Sequence, residues 1–247
     1  TQNMVKENAI IRKLHAVESL GSVSIICSDK TGALTQNNMT VQQVFVADQF
    51  FSSDQLQLNN SLHRKFMELS LLCNNAFILE DKKIGDPTEL ALVNFGQSYL
   101  LNEHILRGLH QRVSEIPFDS TRKRMTTVNR IGNHYVMITK GAVDILLPHI
   151  TQIETYNGAL AITTQQLESI KEANRKFSTN GLRVLAIAYK DIRSPQITID
   201  DEHDYTFVGL VAMMDPPREE SAKAVADCIQ AGIKPVMITG DHKITAT

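Results

Sequence analysis

The sequence lacks any apolar run near the roughly 18–20 residues that a transmembrane helix requires. Its longest runs are Val23–Cys27 and Val208–Met214, and no signal peptide is visible. Net charge is nearly absent too, because 25 Lys and Arg residues against 27 Asp and Glu residues leave a formal charge of −2. This balance excludes the bulk basic field that attracts nucleic acid regardless of sequence. We therefore expect a globular chain with no nucleic-acid partner, in which a few local groups hold any bound anion.

Cysteine is also scarce, and its pattern argues against a disulfide framework and a clustered metal site. Cys27, Cys73 and Cys228 are odd in number, far apart and without a CxxC spacing. Because each lies in an apolar or helical stretch, we expect three reduced thiols in the core of a cytosolic protein.

Two segments have the pattern of buried parallel strands that end in polar loops. Ser22–Ser28 is a nearly continuous apolar run followed by Asp29. The segment Tyr205–Asp241 predicts a strand, a helix over Glu219–Ala231 and a second strand ending at Thr239-Gly240-Asp241. Strand, helix and strand predict a βαβ unit of a parallel sheet. Since ligands bind beyond the carboxyl ends of such strands, we expect the two polar ends to converge on one site.

The intervening chain, from Thr40 to Asp204, has a different pattern. Short β-branched or alternating stretches and helically spaced apolar residues occur there without a βαβ rhythm. This mixture indicates an α+β domain built on an antiparallel sheet. The expected strands are Met39–Val46, Tyr135–Ile138 and Gly181–Tyr189, and the expected helices are Leu62–Cys73, Asp86–Asn94 and Thr163–Thr179, the last with a Thr163 and Gln166 capping box.

Asp29 is the first candidate for chemistry. It lies at a strand end, and Gly32 nearby lets backbone N–H groups approach an anion. A carboxylate in this position suits nucleophilic attack on a phosphoryl group. From these residues alone, an aspartate that merely caps a turn is an equal alternative.

Longer strings reduce this ambiguity, because six of them resemble motifs of the P-type cation-transporting ATPases and follow the family's order. The resemblance covers nearly the whole chain and is weakest from Val41 to Lys83. The family's phosphorylation string usually has Thr where this chain has Ala33, and the loss of that hydroxyl is expected to weaken phosphoryl transfer. The strings are Asp29-Lys30-Thr31-Gly32-Ala33-Leu34-Thr35, Asp86-Pro87-Thr88-Glu89, Phe118 with Arg122-Lys123, Lys140-Gly141-Ala142, Asp215-Pro216-Pro217-Arg218 and Thr239-Gly240-Asp241.

The resemblance implies an α/β architecture in two domains. A partial Rossmann-like (haloacid-dehalogenase-like) phosphorylation domain would comprise residues 1–39, including a stalk leader, and a truncated part, 205–247. An α+β nucleotide-binding domain on an antiparallel sheet, residues 40–204, would be inserted between them. The leader Met4–His15 and the following Ala16–Gly21 resemble the stalk of the calcium-pump-like branch, so calcium is the expected ion, with sodium or another cation as the alternative.

The resemblance also implies the chemistry of the phosphorylation domain. Asp29, in a catalytic string with Lys30 and Thr31, would attack the γ-phosphoryl group of ATP to give an aspartyl-phosphate. A Mg²⁺ ion held by Asp29 and the Thr31 main chain would neutralise the developing charge. Thr239 and Gly240 would bind the transferred group and Asp241 its metal environment, the alternative being a strand-to-helix turn capped by Asp241.

In the inserted domain, the resemblance implies an ATP site. Phe118 would stack on adenine, although such a residue alone is more often part of a core. Lys123 and Lys140, the latter followed by Gly141, would supply positive charge for the phosphates or hold the pocket open. The tripeptide Arg122-Lys123-Arg124 lacks the aromatic neighbours typical of a nucleic-acid patch.

Two further residues have open alternatives. The resemblance places Glu89 at the adenine site, but Asp86 as N-cap, Pro87 at the first helical position and Glu89 at the third also predict a capping box that needs no ligand. Arg183 resembles a family arginine that reaches the nucleotide phosphates, with an ordinary surface arginine of a strand as the alternative.

Thr31 separates a pump from a phosphatase. Related phosphatases have a second aspartate at this position as general acid and base, whereas a threonine hydroxyl cannot perform that proton transfer at neutral pH. We therefore expect a long-lived aspartyl-phosphate, as a pump requires. A silent nucleotide-binding regulatory module, supported by Ala33 alone, and a soluble haloacid-dehalogenase-type phosphatase are the alternatives.

The two ends of the chain lead to a last expectation. The chain begins at Thr1 rather than methionine and ends at Thr247 where a helix is expected to start, which indicates a piece of a longer protein. We expect this piece to be soluble and monomeric. Its partners would be ATP and the remainder of the pump, namely membrane helices and an actuator domain, at the cytosolic face of a membrane. We expect the piece to bind ATP without turning it over.

Overall fold

The computed structural model describes residues 21–80 and 82–238 of the chain. The predicted stalk leader and the predicted string Thr239-Gly240-Asp241 lie outside the described residues. Among the helices within this part of the chain, none is long and apolar enough to cross a membrane.

Contacts divide the chain into two compact units. The larger unit is Asn38–Met214, and the smaller unit has 21–37 and 215–238 as its described residues. The second division therefore follows Met214 instead of Asp204, because the strand that begins at Tyr205 pairs inside the larger unit.

The strands follow the apolar and β-branched stretches of the sequence. The strands are β1 Ile25–Asp29, β2 Thr40–Val46, β3 Gln49–Ser52, β4 Phe77–Leu79, β5 Lys82–Ile84, β6 Arg112–Asp119, β7 Arg124–Ile131, β8 His134–Gly141, β9 Ile150–Thr155, β10 Gly158–Ala161, β11 Arg183–Ile192, β12 Tyr205–Met214 and β13 Lys234–Ile238. The three strands expected in the intervening chain are confirmed: β2 is one residue shorter than predicted, β8 extends beyond both predicted ends, and β11 begins two residues later and ends three residues later than predicted.

Four of the six described helices begin after a capping side chain, namely Asn60, Asp86, Asn102 and Thr163, whereas the helices that begin at Val143 and Glu219 have no side-chain cap. In the longest of them, the predicted capping box is confirmed: Gln166 N donates to Thr163 Oγ1 at 3.2 Å, and Thr163 N donates to Gln166 Oε1 at 3.0 Å. The helices are α1 Ser61–Leu72, α2 Pro87–Ser98, α3 Glu103–Leu109, α4 Val143–Leu146, α5 Thr164–Thr179 and α6 Glu219–Gln230.

One large sheet organises the larger unit, as expected for an antiparallel α+β domain. Within the described residues it has nine strands, in the order β10, β9, β12, β11, β8, β7, β6, with β2 pairing with β12 and β3 with β2. Its pairs are antiparallel except the short β9 and β12 pair. The first residues of β12 pair with β9 and the later ones with β2, so both partners lie along one side of β12.

Both faces of this sheet are covered by helices. Helices α1, α2 and α3 pack on one face around Phe66, Leu92 and Leu106. Helices α4 and α5 pack on the other face around Leu146 and Phe177. The resulting core has three layers, and β12 contributes apolar side chains to both faces, which explains its continuous apolar sequence.

In the smaller unit, β1 pairs in parallel with β13, with Asp29 opposite Ile238. Parallel strands were expected in both segments, and β1 and β13 are parallel. The βαβ unit predicted for Tyr205–Asp241 is wrong, because β12 belongs to the antiparallel sheet and the parallel partner of β13 is β1. A continuous apolar run predicts burial but does not indicate which neighbouring strand covers it.

Burial differs from expectation in β1 and at two cysteines. The residues of β1 are exposed or half-buried, since its only described sheet partner is β13. Cys27 on β1 is therefore exposed. Cys228 lies on α6, a helix without a fully buried residue, and is half-buried. The prediction of three core thiols is wrong for these two. It holds for Cys73, whose burial raises the pKa of the thiol.

Candidate functional site

The N-terminus of α2 carries the first candidate residue. Asp86 accepts a hydrogen bond from Thr88 N at 2.8 Å, as its predicted N-cap role requires. Glu89 instead directs its carboxylate elsewhere, because Oε1 accepts from Lys140 Nζ at 2.7 Å and Oε2 accepts from Asn75 N at 3.2 Å. The capping-box interpretation of Glu89 is therefore wrong.

Glu89 and Lys140 form an ion pair with little access to water. The Lys140 side chain is 7% exposed and that of Glu89 is 15% exposed. Burial removes the hydration of both charges, so each requires the other as a partner. Lys140, the next-to-last residue of β8, thereby ties this strand to α2. Of its two predicted roles, this pairing favours holding the pocket open over supplying charge to the phosphates.

Gly141 follows Lys140 and is buried in a crowded position. A Cβ atom there would lie 2.7 Å from Arg124 Cβ, from Leu146 Cδ1 and from the Lys123 carbonyl oxygen. The Lys123 oxygen is a backbone atom and Arg124 Cβ is bonded to the backbone, so neither atom can move freely. Glycine at this position therefore lets β8 approach the turn that carries Lys123, a structural role that needs no ligand.

Gly141→Ala is expected to lower the free energy of unfolding by about 1–3 kcal/mol, because the new methyl group overpacks the contact between β8 and the turn. Gly108→Ala is the matched control, since its Cβ would meet open space in α3, where alanine is favoured. Urea unfolding followed by circular dichroism measures both. Equal or higher stability of Gly141→Ala would show that the crowding is relieved without cost.

The end of β6 and the turn that follows it present two more candidates to solvent. Phe118 is 64% exposed, which excludes a core role and leaves its ring accessible. Lys123 is exposed and has a positive φ of 52°. Asp119 fixes the turn by accepting from the backbone N–H groups of Arg122 and Thr121, each at 2.9 Å, and these two bonds hold the pKa of its carboxyl below the ordinary value.

Strand pairing brings these candidates to one end of the large sheet. Asp119 at the end of β6 pairs with Arg124 at the start of β7, and Arg124 pairs with Gly141 at the end of β8. The residues that directly precede these three in the sequence therefore lie at the same end of the sheet. They are Phe118, Lys123 and Lys140.

Arg183 lies at the same end, because β11 begins there: Ala186 pairs with Gly141, and Arg183 precedes it. The Arg183 guanidinium is on an exposed residue, and Nη1 donates to Thr88 Oγ1 at 3.0 Å on the first turn of α2. The side chain is therefore more than an unattached surface arginine, since it links β11 to the helix that carries Glu89.

The phosphorylation string forms a tight turn after β1. Asp29 is exposed, and its Oδ1 accepts from Thr31 N at 3.4 Å. Gly32 adopts a positive φ of 79°, which L side chains rarely tolerate, and its N–H donates to Thr35 Oγ1 at 3.1 Å. Asp29 thus does cap a turn, and the cap leaves its carboxylate at the surface.

The segment after β12 supports this turn. The Thr35 hydroxyl lies 2.5 Å from Asp215 Oδ2, and Thr35 is buried. Arg218 Nε donates to the Thr35 carbonyl at 2.9 Å and Arg218 Nη2 to the Gly32 carbonyl at 3.0 Å. These contacts do not involve Ala33, which is exposed. The string that begins at Asp29 and the string that begins at Asp215 are therefore joined by hydrogen bonds.

The oxygen atoms around Asp29 suit a hard cation. The Asp29 carboxylate and the Thr31 main-chain carbonyl are the ligand types that Mg²⁺ prefers, and Mg²⁺ usually completes its shell with phosphates and water. Across residues 21–80 and 82–238, no group of three or more His, Cys, Asp and Glu side chains is arranged to hold a metal ion. A protein contribution of one carboxylate and one carbonyl fits a phosphate-bound Mg²⁺ rather than a resident metal.

Several contacts at the site were not predicted from sequence. Asn75 and Thr88 contact Glu89 and Arg183, and neither contact has a local signal, because the partners lie far apart in the chain. Thr35 and Arg218 occur within the quoted motifs, so their importance could have been inferred there. Glu202, described below, was not singled out from the sequence.

Comparisons with known proteins identify the family to which the sequence is similar. Residues 63–220 match the model of the family described as P-type ATPase, cytoplasmic domain N. The chain is 46% identical to "Calcium-transporting ATPase 1" of Bacillus cereus, with 99% of the chain and 28% of that protein covered. It is 41% identical to calcium-transporting ATPases of Listeria monocytogenes and Lactococcus lactis, each with 100% of the chain and 28% of the relative covered. The chain therefore spans 28% of the length of these relatives.

Proposed function

Because the chain belongs to the P-type ATPase family, we propose that it is the ATP-binding and phosphoryl-accepting part of a cation pump, at the cytoplasmic face of a membrane. The observation that carries the proposal is the grouping of exposed Phe118, exposed Lys123 and the buried pair of Glu89 and Lys140 at one end of the large sheet. An aromatic face beside positive charge suits a purine nucleotide with its phosphates.

In this proposal, ATP binds to the larger unit. The ring of Phe118 stacks on adenine, and Lys123 on the adjacent turn attracts the phosphates. Lys140 and Gly141 form the wall of the pocket, with Glu89 holding the Lys140 ammonium in place. Arg183, held by Thr88, adds positive charge at the margin.

The smaller unit is the proposed acceptor, a haloacid-dehalogenase-like phosphorylation domain. An Asp29 carboxylate oxygen forms a bond to the γ-phosphorus of ATP, the bond from that phosphorus to the β,γ-bridging oxygen breaks, and ADP leaves with the electron pair. Thr239, Gly240 and Asp241 follow β13, whose last residue pairs with Asp29, and are proposed to hold the transferred group. Lys30 and Thr31 complete the catalytic string.

Mg²⁺ is the proposed cofactor, held by Asp29 and the Thr31 main chain, and it supplies positive charge to the phosphates. Thr31 cannot act as a general acid or base at neutral pH, so the aspartyl-phosphate is expected to persist. This favours a pump over a phosphatase. Calcium is the proposed ion, since the relatives named above are calcium-transporting ATPases. Membrane helices and an actuator domain are the proposed partners.

Titration of the ¹⁵N-labelled chain with ATP tests the nucleotide site. Backbone amide shifts are expected to change at Glu89, Phe118, Lys123 and Gly141, because these residues share one end of the sheet. Amides of α5, which packs on the other face of the sheet and carries no candidate residue, provide the internal control. No change with millimolar ATP, or changes confined to α5, would contradict the proposed site.

A further inference from the structure

A buried carboxylate lies next to the proposed ATP site but is not part of it. The Glu202 side chain is 0% exposed. Its Oε1 accepts from Arg122 Nη2 at 2.8 Å and from Thr126 Oγ1 at 2.6 Å, and its Oε2 accepts from Arg124 Nε at 2.8 Å. A buried carboxylate with three charge-assisted or hydroxyl partners is a strong, directional anchor.

The two arginines held by Glu202 flank Lys123 in the turn between β6 and β7. Arg122 makes a second contact, because its Nη1 donates to the Pro117 carbonyl at 3.1 Å. Pro117 directly precedes Phe118. The Arg122 guanidinium therefore connects Glu202 to the backbone of the residue before Phe118. Arg124, the first residue of β7, is bonded to Glu202 directly.

Glu202 is itself held in a defined place. It follows a short turn over Ile199–Asp201, and its N–H donates to the Ile199 carbonyl at 3.1 Å. Asp201 Oδ2 accepts from Thr198 N at 2.7 Å, which closes this turn. Lys190 of β11 donates to the carbonyls of Asp201 and His203, so the segment is attached to the middle of the sheet.

We propose that Glu202 is a positioning residue for ATP binding: through Arg122 and Arg124 it fixes the turn that presents Phe118 to adenine and Lys123 to the phosphates. Phe118 is 64% exposed, so packing does little to orient its ring. The backbone that carries Phe118 must therefore be held in place by other contacts. Orienting these two groups before binding lowers the entropy lost when ATP binds. The inference rests on the proposed function.

Isothermal titration of the 247-residue chain with ATP tests the role of Glu202. Glu202→Gln is expected to raise the Kd by about tenfold, because glutamine keeps the shape but cannot accept from both guanidiniums. Glu154→Gln is the matched control: Glu154 is also buried, with a side chain 8% exposed, and accepts from Lys65 Nζ at 3.0 Å and from the Tyr189 hydroxyl. It lies on β9, which three strands separate from β7, so we expect stability to fall there without loss of ATP affinity.

A second variant and a local reporter separate positioning from general destabilisation. Arg122→Lys keeps the charge but loses the planar fork whose two nitrogens reach Pro117 and Glu202, and is expected to weaken ATP binding similarly while the Arg124 contact remains. The chain has no tryptophan, so Phe118→Trp introduces a single fluorescent reporter at an exposed position. Its emission anisotropy is expected to fall when Glu202→Gln is added and to stay constant when Glu154→Gln is added.

The outcomes distinguish this inference from the function on which it rests. If the unaltered chain fails to bind ATP, the proposed function fails and the inference falls with it. If the chain binds ATP and Phe118→Ala weakens binding, but Glu202→Gln and Arg122→Lys leave the Kd unchanged, only the positioning role is overturned. Equal loss of affinity in Glu154→Gln would also overturn it, because the effect would then be one of stability.

Discussion

Phe118→Ala is expected to raise the Kd for ATP by roughly 5- to 150-fold, the cost of about 1–3 kcal/mol for losing one stacking platform. The Phe118 ring is 64% exposed, so its removal leaves the hydrophobic core intact and the loss falls on binding. Asp29→Asn, by contrast, is expected to leave the Kd nearly unchanged. Asp29 belongs to the smaller unit, and its proposed role is in phosphoryl transfer rather than adenine binding.

Isothermal titration with ATP measures both variants. Phe50→Ala is the matched control, because Phe50 is 43% exposed on the edge strand β3 and packs against Phe45 and Phe177. It is expected to lower stability without changing the Kd. If Phe118→Ala and Asp29→Asn weaken ATP binding equally, the adenine pocket has been placed on the wrong residues.

Lys140→Met is expected to lower the free energy of unfolding by about 3–5 kcal/mol, the usual cost of removing one partner of a buried ion pair. Glu89 would keep a carboxylate that is 15% exposed and has lost its ammonium partner. The double variant Glu89→Gln with Lys140→Met is expected to recover most of this stability, because no buried charge is then unpaired. Neither variant is expected to recover full ATP affinity, since both lose the proposed pocket wall.

Urea unfolding followed by circular dichroism, with ATP titration in parallel, measures the pair. Lys171→Met is the control, because Lys171 and Glu168 are 57% and 63% exposed and such pairs add little to stability. A double variant as unstable as Lys140→Met would show that Glu89 and Lys140 are not energetically coupled. Full ATP affinity in the double variant would remove both residues from the proposed site.

Local features of the fold were predictable from the sequence. The capping box of Thr163 and Gln166 and the N-cap at Asp86 depend on residues two or three positions apart, so their signals lie within one turn of helix. Strands β2, β8 and β11 of the larger unit were recognisable from their β-branched or alternating composition, whereas others, such as β6 and β7, were not predicted. Features of this kind are decided mainly by neighbouring residues, and the tertiary structure overruled only the capping box that would have included Glu89.

Long-range pairing was less predictable. The apolar run of β12 resembled a parallel strand because both types of buried strand have the same composition, yet β12 pairs antiparallel with β11 and β2. The burial of β1 was overestimated for a similar reason. An apolar run shows that a strand can be covered, whereas the neighbours that cover it are set by the rest of the chain.

The site divides in the same way. The motif strings determined which residue types are available: a carboxylate at Asp29, an aromatic ring at Phe118 and cations at Lys123 and Lys140. Only the tertiary structure decided that Glu89 pairs with Lys140 instead of closing a capping box, and that Glu202 is buried and paired with Arg122 and Arg124. The physical reason is that a charged side chain takes the partner that burial leaves within reach, and the fold brings that partner from a distant part of the chain.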